Sequence, residues 1–254
     1  MMSNPFDFSG QVALLCGTAG ALGRPIAAAL AEAGATLALA DLDEAGLGIL
    51  ADELRPHEGA ISQHMVDLRS AESVDGLVES VIEQHGRIDI LVNTAGINSR
   101  SPAAEFPQEV WDRVMELDLR GTWLISQAVG TTMVQRKKGR IVNFASGAAY
   151  NGAPGYAAYS PAKAGVVSLT RVLASEWAVH GVGVNAIAPG HTDSPMAAGL
   201  LSDPDVLASI KKRSPIGDIL PPSAQVGPTL FLCSPAAQWV NGVTIRVDGG
   251  WHVT

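Results

Sequence analysis

The sequence is short of cysteine, of aromatic residues and of positive charge. Only Cys16 and Cys233 occur, each inside an apolar stretch and in no spaced pair, which excludes a disulfide framework and a zinc cage. Lys and Arg number 17 against 25 Asp and Glu, a net charge of −8, and that balance excludes a surface built to neutralise a phosphate backbone. The one basic run, Arg136-Lys137-Lys138, reads as a solvated helix end. No stretch approaches the ~18 consecutive apolar residues of a membrane span, and Met1-Met2-Ser3-Asn4-Pro5 has neither a basic nor an apolar leader segment. The expected location is the cytoplasm, with no nucleic-acid or membrane partner.

What is present is aliphatic. Hydrophobic residues make up 47% of the 254, yet there are only five Phe, five Trp and three Tyr, so the core must be filled by Ala, Val, Leu and Ile. Strand-length apolar runs recur at Val12 to Cys16, Thr36 to Ala40, Ile61 to Val66, Ile88 to Val92, Arg140 to Ala145, Val182 to Ala188 and Val243 to Val247. Several are continuously apolar, as strands covered on both faces are. Helix-length segments lie between them at about Gly23 to Ala33, Asp43 to Leu54, Ala71 to His85, Pro107 to Arg136, Tyr159 to His180 and Ser223 to Cys233. The alternation predicts one α/β domain over residues 1–254: a Rossmann-like, doubly wound parallel sheet of about seven strands with helices on both faces. Pro195, Pro204, Pro215, Pro221 and Pro222 punctuate the stretch from about 191 to 222, which has one helix-length piece near Asp205 to Lys212 and follows a strand end, where open sheets bind ligands. It is expected to be a substrate lid.

The first strand runs into Gly17-Thr18-Ala19-Gly20-Ala21-Leu22-Gly23 and then an Ala-rich helix. Such a turn brings backbone amides and a helix N-terminus to a pyrophosphate, although a plain tight turn also uses glycines. The second strand ends in Asp41, 18 residues beyond Gly23, where a carboxylate accepts from a ribose 2′-hydroxyl and repels a 2′-phosphate. For unit charges ~4 Å apart at an effective dielectric of ~20 that repulsion is about 4 kcal/mol, so NAD is expected over NADP. Asp43 is the better helix cap. Further on, Tyr159 and Lys163 stand four apart on a predicted helix and so share a face, with Ser146 at the preceding strand end. An ammonium beside a phenol favours the phenolate and makes it a usable base.

Taken together these residues resemble the short-chain dehydrogenase/reductases, over essentially the whole chain. The motifs fall in the family's order: the glycine turn, Asp67 after the third strand, Asn93-Thr94-Ala95-Gly96 after the fourth, Ser146, Tyr159 with Lys163, Pro189-Gly190 after the sixth, and Val247-Asp248-Gly249-Gly250-Trp251 at the end. The resemblance implies that Asp67 and Leu68 contact the adenine, that Asn93 to Gly96 line its ribose, that Leu42 follows Asp41 at that ribose, and that Pro189, Gly190 and Thr192 hold the nicotinamide. Tyr159 is then the acid/base, Ser146 the partner of the substrate oxygen, and Lys163 the group that binds the nicotinamide ribose and lowers the tyrosine pKa. Cys16 replaces the family's usual Thr and Ala21 its second glycine, which matters if position 21 needs a positive φ. Asp118 replaces the fourth catalytic residue, an Asn acting mainly through its backbone carbonyl. An ionised carboxylate there would raise the pKa of both Tyr159 and Lys163.

The substrate side is thinner. Arg100 reads either as a solvated loop residue or, as in the family's sugar-acid branch, as a carboxylate ligand. His191 reads either as a loop residue serving the nicotinamide by its backbone or as a substrate contact. Ala148, Asn151 and Met196 complete the candidates. His57, His64, His85, His180 and His252 have no ligand spacing, and no metal is expected. The function expected is NAD-dependent interconversion of a secondary alcohol and a ketone, on a sugar acid or polyol. The alternatives are a 3-oxoacyl thioester reductase, which usually goes with NADPH, and a non-catalytic NAD-binding regulatory protein. Small residues Ala162, Ala164, Gly165 and Ser168 on the Tyr159 helix would allow close approach in a homotetramer.

Overall fold

Five consecutive apolar residues, Val12–Cys16, form β1, and their side chains divide between the two sides of the sheet. Ala13 and Leu15 join one core cluster, Val12, Leu14 and Cys16 the other. In this computed structural model, which describes residues 4–55, 57 and 59–253, the same alternation runs through β2 (Thr36–Asp41), β4 (Ile90–Asn93), β5 (Gly139–Phe144) and β6 (Val182–Pro189). β3 (Ile61–Met65) and β7 (Thr244–Val247) are the edges of a wholly parallel seven-stranded sheet of order β3-β2-β1-β4-β5-β6-β7. β3 buries only alternate residues, as an edge strand does.

α1 (Gly23–Glu32), α2 (Glu44–Leu54) and α9 (Val226–Cys233) cover one face. α3 (Ala71–His85), α5 (Thr122–Arg136) and α6 (Tyr159–Trp177) cover the other. Each fully buried Leu among them contributes roughly 1.5–3 kcal/mol of transfer free energy. Asp43 caps α2 by accepting from the Gly46 amide at 3.0 Å, and Ser70 caps α3 in the same way.

Two departures from the predicted elements bear on the site. The segment 107–136, read as one helix, comprises α4 (Gln108–Val114), a π-helical stretch Met115–Gly121 and α5. π turns concentrate at functional positions, and here the widened turn holds Asp118. The segment 191–222 contains two helices, α7 (Pro195–Leu201) and α8 (Pro204–Arg213), each opening with its proline at the first position, where the missing N–H costs nothing. Pro195 and Pro204, read as interruptions, are helix starts. Two of the small residues expected at a subunit contact are used inside the chain: Ala162 is fully buried, and a Cβ on Gly165 would lie 2.8 Å from Leu119.

Candidate active site

The strand order reverses between β1 and β4, and the chains leaving those two strands meet there, where open α/β sheets bind ligands. Gly17 has φ +79°, and a Cβ on it would lie 2.6 Å from the Ala95 amide nitrogen. Only glycine fits. Thr94 locks the junction by donating its hydroxyl to the carbonyls of Cys16 and Gly17, at 2.9 and 3.0 Å. Ala21 has no positive φ, so its replacement of glycine carries no backbone strain.

The cavity at this junction has a volume of about 860 Å³ and is lined by Gly17, Gly20, Ala21, Leu22, Asp41, Leu42, Asp67, Leu68, Ala95 and Gly96, all predicted cofactor residues. Asp41 is fixed there: one carboxylate oxygen accepts from the Ala19 amide at 2.8 Å and the other from Leu42 at 2.7 Å. Asp67 is clasped by Arg69 in a two-point ion pair, whose hydrogen bonds hold its carboxyl below the usual range against the effect of burial. Two predicted cofactor residues line neither this cavity nor the one beside it. Asn93 is buried, its amide donating to Thr122 Oγ1 at 3.2 Å and its carbonyl oxygen accepting from Ala95, so it shapes the turn from behind. Gly23 supports the turn from the helix side, where a Cβ would meet the Gly17 carbonyl at 2.4 Å.

A second cavity of about 860 Å³ adjoins the first, sharing Leu22, Thr94, Gly96, Asn98, Ser99, Ser194 and Met196 with it. Ser146, Tyr159, Lys163, Pro189, Gly190 and Thr192 line it, as do all the substrate candidates, Arg100, Ala148, Asn151, His191 and Met196. The His191 ring packs edge-on against Trp251 at 4.6 Å, and the exposed Arg100 lies over the Tyr156 ring at 4.9 Å. Ser146 stands just past β5 in extended backbone and accepts from the Ala148 amide at 3.1 Å. Lys163, one turn along α6 from Tyr159, donates to the Phe144 carbonyl at 3.0 Å, tying helix to strand end.

Asp118 does not touch either cavity. It is fully buried beneath Lys163, with Oδ2 3.1 Å from Nζ and Oδ1 accepting from the Ile97 amide at 2.8 Å. Its backbone carbonyl, the atom that the resemblance makes important, accepts from the Thr122 hydroxyl at 2.8 Å. The side chain thus adds a direct contact to the lysine that an Asn would make without charge. Gly96 must be glycine for this, since a Cβ there would lie 2.9 Å from Asp118 Oδ2 and 3.0 Å from Lys163 Nζ.

The charges settle accordingly. Burial raises the Asp118 pKa, although Lys163 and the Ile97 amide pull it back. Burial disfavours the Lys163 ammonium, but Asp118 and then Tyr159 outweigh it, so its pKa is raised. Tyr159 is also raised, by burial first; Lys163 lowers it as expected, while Asp118 raises it again. Spacing in the sequence points to both influences on Tyr159 but not to the desolvation that decides their sum. Nor does it point to Tyr150, Tyr156, Arg213, Trp251 and His252 in the second cavity. His252 approaches Asp248 at 2.5 Å and the Gly147 carbonyl at 2.9 Å, which folds the end of the chain back against the Ser146 loop. No motif signals that contact.

A cradle of backbone amides beside a fixed acid, opening onto Ser146, Tyr159 and a buried ammonium, defines a dinucleotide-dependent oxidoreductase. The chain belongs to the short-chain dehydrogenase/reductases: residues 17–252 match the family described as enoyl-(acyl carrier protein) reductase. It is similar to the 2-dehydro-3-deoxy-D-gluconate 5-dehydrogenase of Escherichia coli (strain K12), 36% identical with 99% of each chain covered. It is also similar to the D-threitol dehydrogenase of Mycolicibacterium smegmatis, 38% identical over 99% of this chain and 97% of that one. The crystal structure of a gluconate 5-dehydrogenase from Burkholderia cenocepacia J2315, in complex with NADP and tartrate, superposes with a TM-score of 0.95 at 32% identity over 98% of each chain. The protein is thus an NAD(P)-dependent enzyme acting on CH–OH donors.

Proposed function

We propose that the enzyme interconverts a secondary alcohol and a ketone on a sugar acid or polyol, with NAD as its cofactor, the observation behind this being the convergence of Ser146, Tyr159 and Lys163 in the cavity that adjoins the dinucleotide cradle. The Gly17–Leu22 turn, Asp41, Leu68 and the Ala95–Gly96 turn would hold the dinucleotide, and Pro189, Gly190 and Thr192 its nicotinamide end. When bound, the nicotinamide supplies the hydride acceptor for oxidation or the donor for reduction.

The chain's own part is to handle the proton. Tyr159 Oη takes the proton of the substrate hydroxyl in oxidation and returns it in reduction, while the Ser146 hydroxyl hydrogen-bonds the same oxygen as its charge changes. Lys163 stays an ammonium, which Asp118 secures, and so favours the phenolate without surrendering its own proton. Because the Tyr159 pKa is raised, the phenol is the resting form at neutral pH. Reduction is served there, and oxidation gains as pH rises.

The choice of NAD rests on Asp41, whose carboxylate is tied to the glycine turn, with Leu42 rather than a cation beside it. The cations lining that cavity are Arg69, engaged by Asp67, and Arg113 on α4. Turnover of gluconate and of threitol with each cofactor tests the reading: NAD should give the larger kcat/KM, and a strong NADP preference overturns it. The exposed Trp123, Val172 and Trp239 suit a homotetramer by offering apolar surface for subunit contacts; light scattering that finds a monomer refutes it. Two buried, free cysteines and, among the described residues, no helix long and apolar enough to cross a membrane suit the cytoplasm, which cell fractionation tests.

A further inference from the structure

The last turn of the chain, Asp248 to His252, packs between two loops of the active site. On one side it carries the loop after β6: Gly190 donates its amide to the Val247 carbonyl at 2.8 Å, and a Cβ on Gly190 would lie 2.7 Å from Asp248 Cα. On the other it meets the segment that follows Ser146. His252 Nε2 lies 2.9 Å from the Gly147 carbonyl oxygen and 3.1 Å from the Asn151 amide nitrogen, and a Cβ on Gly147 would lie 2.6 Å from His252 Cε1. Whether Nε2 donates to the carbonyl or accepts from the amide, it bonds the ring to residues 147–151. Nδ1 donates to Asp248 Oδ2 at 2.5 Å, and Asp248 Oδ1 accepts from the Gly250 amide at 2.9 Å. Burial works against ionisation of Asp248, but the hydrogen bonds from His252 and Gly250 hold its carboxyl below the usual range. His252 lines the substrate chamber, yet both its nitrogens are engaged, Tyr150 packs edge-on against it at 5.8 Å and its side chain is only 4% exposed. Such a ring is placed to hold a loop rather than to bind substrate.

We propose that His252, oriented by Asp248, is a positioning residue that sets the Ser146 hydroxyl in register with the Pro189-Gly190 loop. The proposal rests on the reading of Ser146 as the partner of the substrate oxygen. Ser146 would meet the reacting oxygen of any alcohol, so loss of register falls on kcat and does so equally for every substrate. A side chain that touched substrate would instead change KM for some compounds more than for others.

Kinetics and amide hydrogen exchange on the full chain test this. His252→Phe keeps a ring against Tyr150 and removes both nitrogens. It should lower kcat by roughly ten- to hundredfold for gluconate and threitol alike, with KM and NADH binding unchanged. It should also raise the exchange of the amides of residues 148–150. His252→Gln, whose amide can still reach the Gly147 carbonyl, should restore part of kcat. Asp248→Asn should lower kcat as well, and combined with His252→Phe it should cause no further loss, since both act through one contact. A His252→Phe enzyme with the parent's kcat, or one altered in KM alone, overturns the positioning role while the reading of Ser146 stands on a large loss in Ser146→Ala. An unchanged kcat in Ser146→Ala overturns that reading and the positioning role together. If the parent turns over neither compound, the dehydrogenase reading fails, and exchange decides the rest: raised at 148–150 in His252→Phe, it upholds the clasp; unchanged, it overturns it.

Discussion

The half of the groove that holds the dinucleotide and the half that receives substrate are lined by side chains of different origin. The first is built from strand ends that follow one another across β1, β2, β3 and β4, each giving a short contiguous motif: the 17–23 turn, Asp41-Leu42, Asp67-Leu68 and Thr94–Gly96. Its motifs are tied to one another by short side chains on backbone, Asp41 on the Ala19 amide and Thr94 on the Cys16 and Gly17 carbonyls, and Gly17 and Gly23 are held by close approach. The second gathers residues from the loops after β4 and β5, from α6, α7 and α8, and from the C-terminal turn. A rigid cradle suits a cofactor common to many reactions, whereas dispersed side chains allow the substrate to change without disturbing it.

That contrast can be broken at several points. Where the halves meet, Tyr159→Phe should lower kcat by about 10³-fold while NADH binding, followed by fluorescence, is retained. Residual turnover near the parent's would mean that another group moves the proton. Within the cradle, Gly17→Ala forces a Cβ against Ala95 at a positive φ and should cost roughly 1–3 kcal/mol of stability, read from chemical denaturation. The matching change in the substrate half, Gly199→Ala on α7, meets nothing within 4 Å and should be neutral or stabilise by up to about 1 kcal/mol. Equal losses at the two glycines would erase the distinction.

A smaller effect is expected at Asp41→Asn, which removes the charge and should shift the NAD-to-NADP ratio of kcat/KM toward NADP by about tenfold. The subtlest lies beneath the site. Asp118 raises the pKa of both Lys163 and Tyr159, so Asp118→Asn should lower both. Oxidation needs the phenolate, and its rising limb in the pH–rate profile should therefore move to lower pH; reduction, which needs the phenol, should lose activity at the alkaline end. An unmoved profile would reduce Asp118 to a packing residue.

Much of the first half is legible in the sequence. The fold class, the strand runs, Asp41 and the Ser146, Tyr159 and Lys163 set are each fixed by neighbours along the chain: a strand followed by a glycine turn, a carboxylate at a strand end, a four-residue step along a helix. Asn93 and Gly23 belong to the turns their motifs mark but face away from the cavity, because a motif locates a segment and not the direction of each side chain. The second half is only partly legible. Arg100 and His191 stand near a strand end and can be named, whereas Arg213, Trp251 and His252 lie in segments whose sequence has no marker of the chamber.

What the sequence determined alone is therefore the scaffold and the proton-handling residues, since periodicity and short spacing specify local geometry. Only the tertiary structure decided three further matters. It placed the Asp118 carboxylate under Lys163, through a π turn packed against α6. It made desolvation the dominant influence on Tyr159. It brought the end of α8 and the C-terminal turn together over the substrate chamber, where Arg213 lies on Trp251. Both contacts join residues far apart in the chain, and the burial that raises the Asp118 and Tyr159 pKa values exists only once the segments around them have packed.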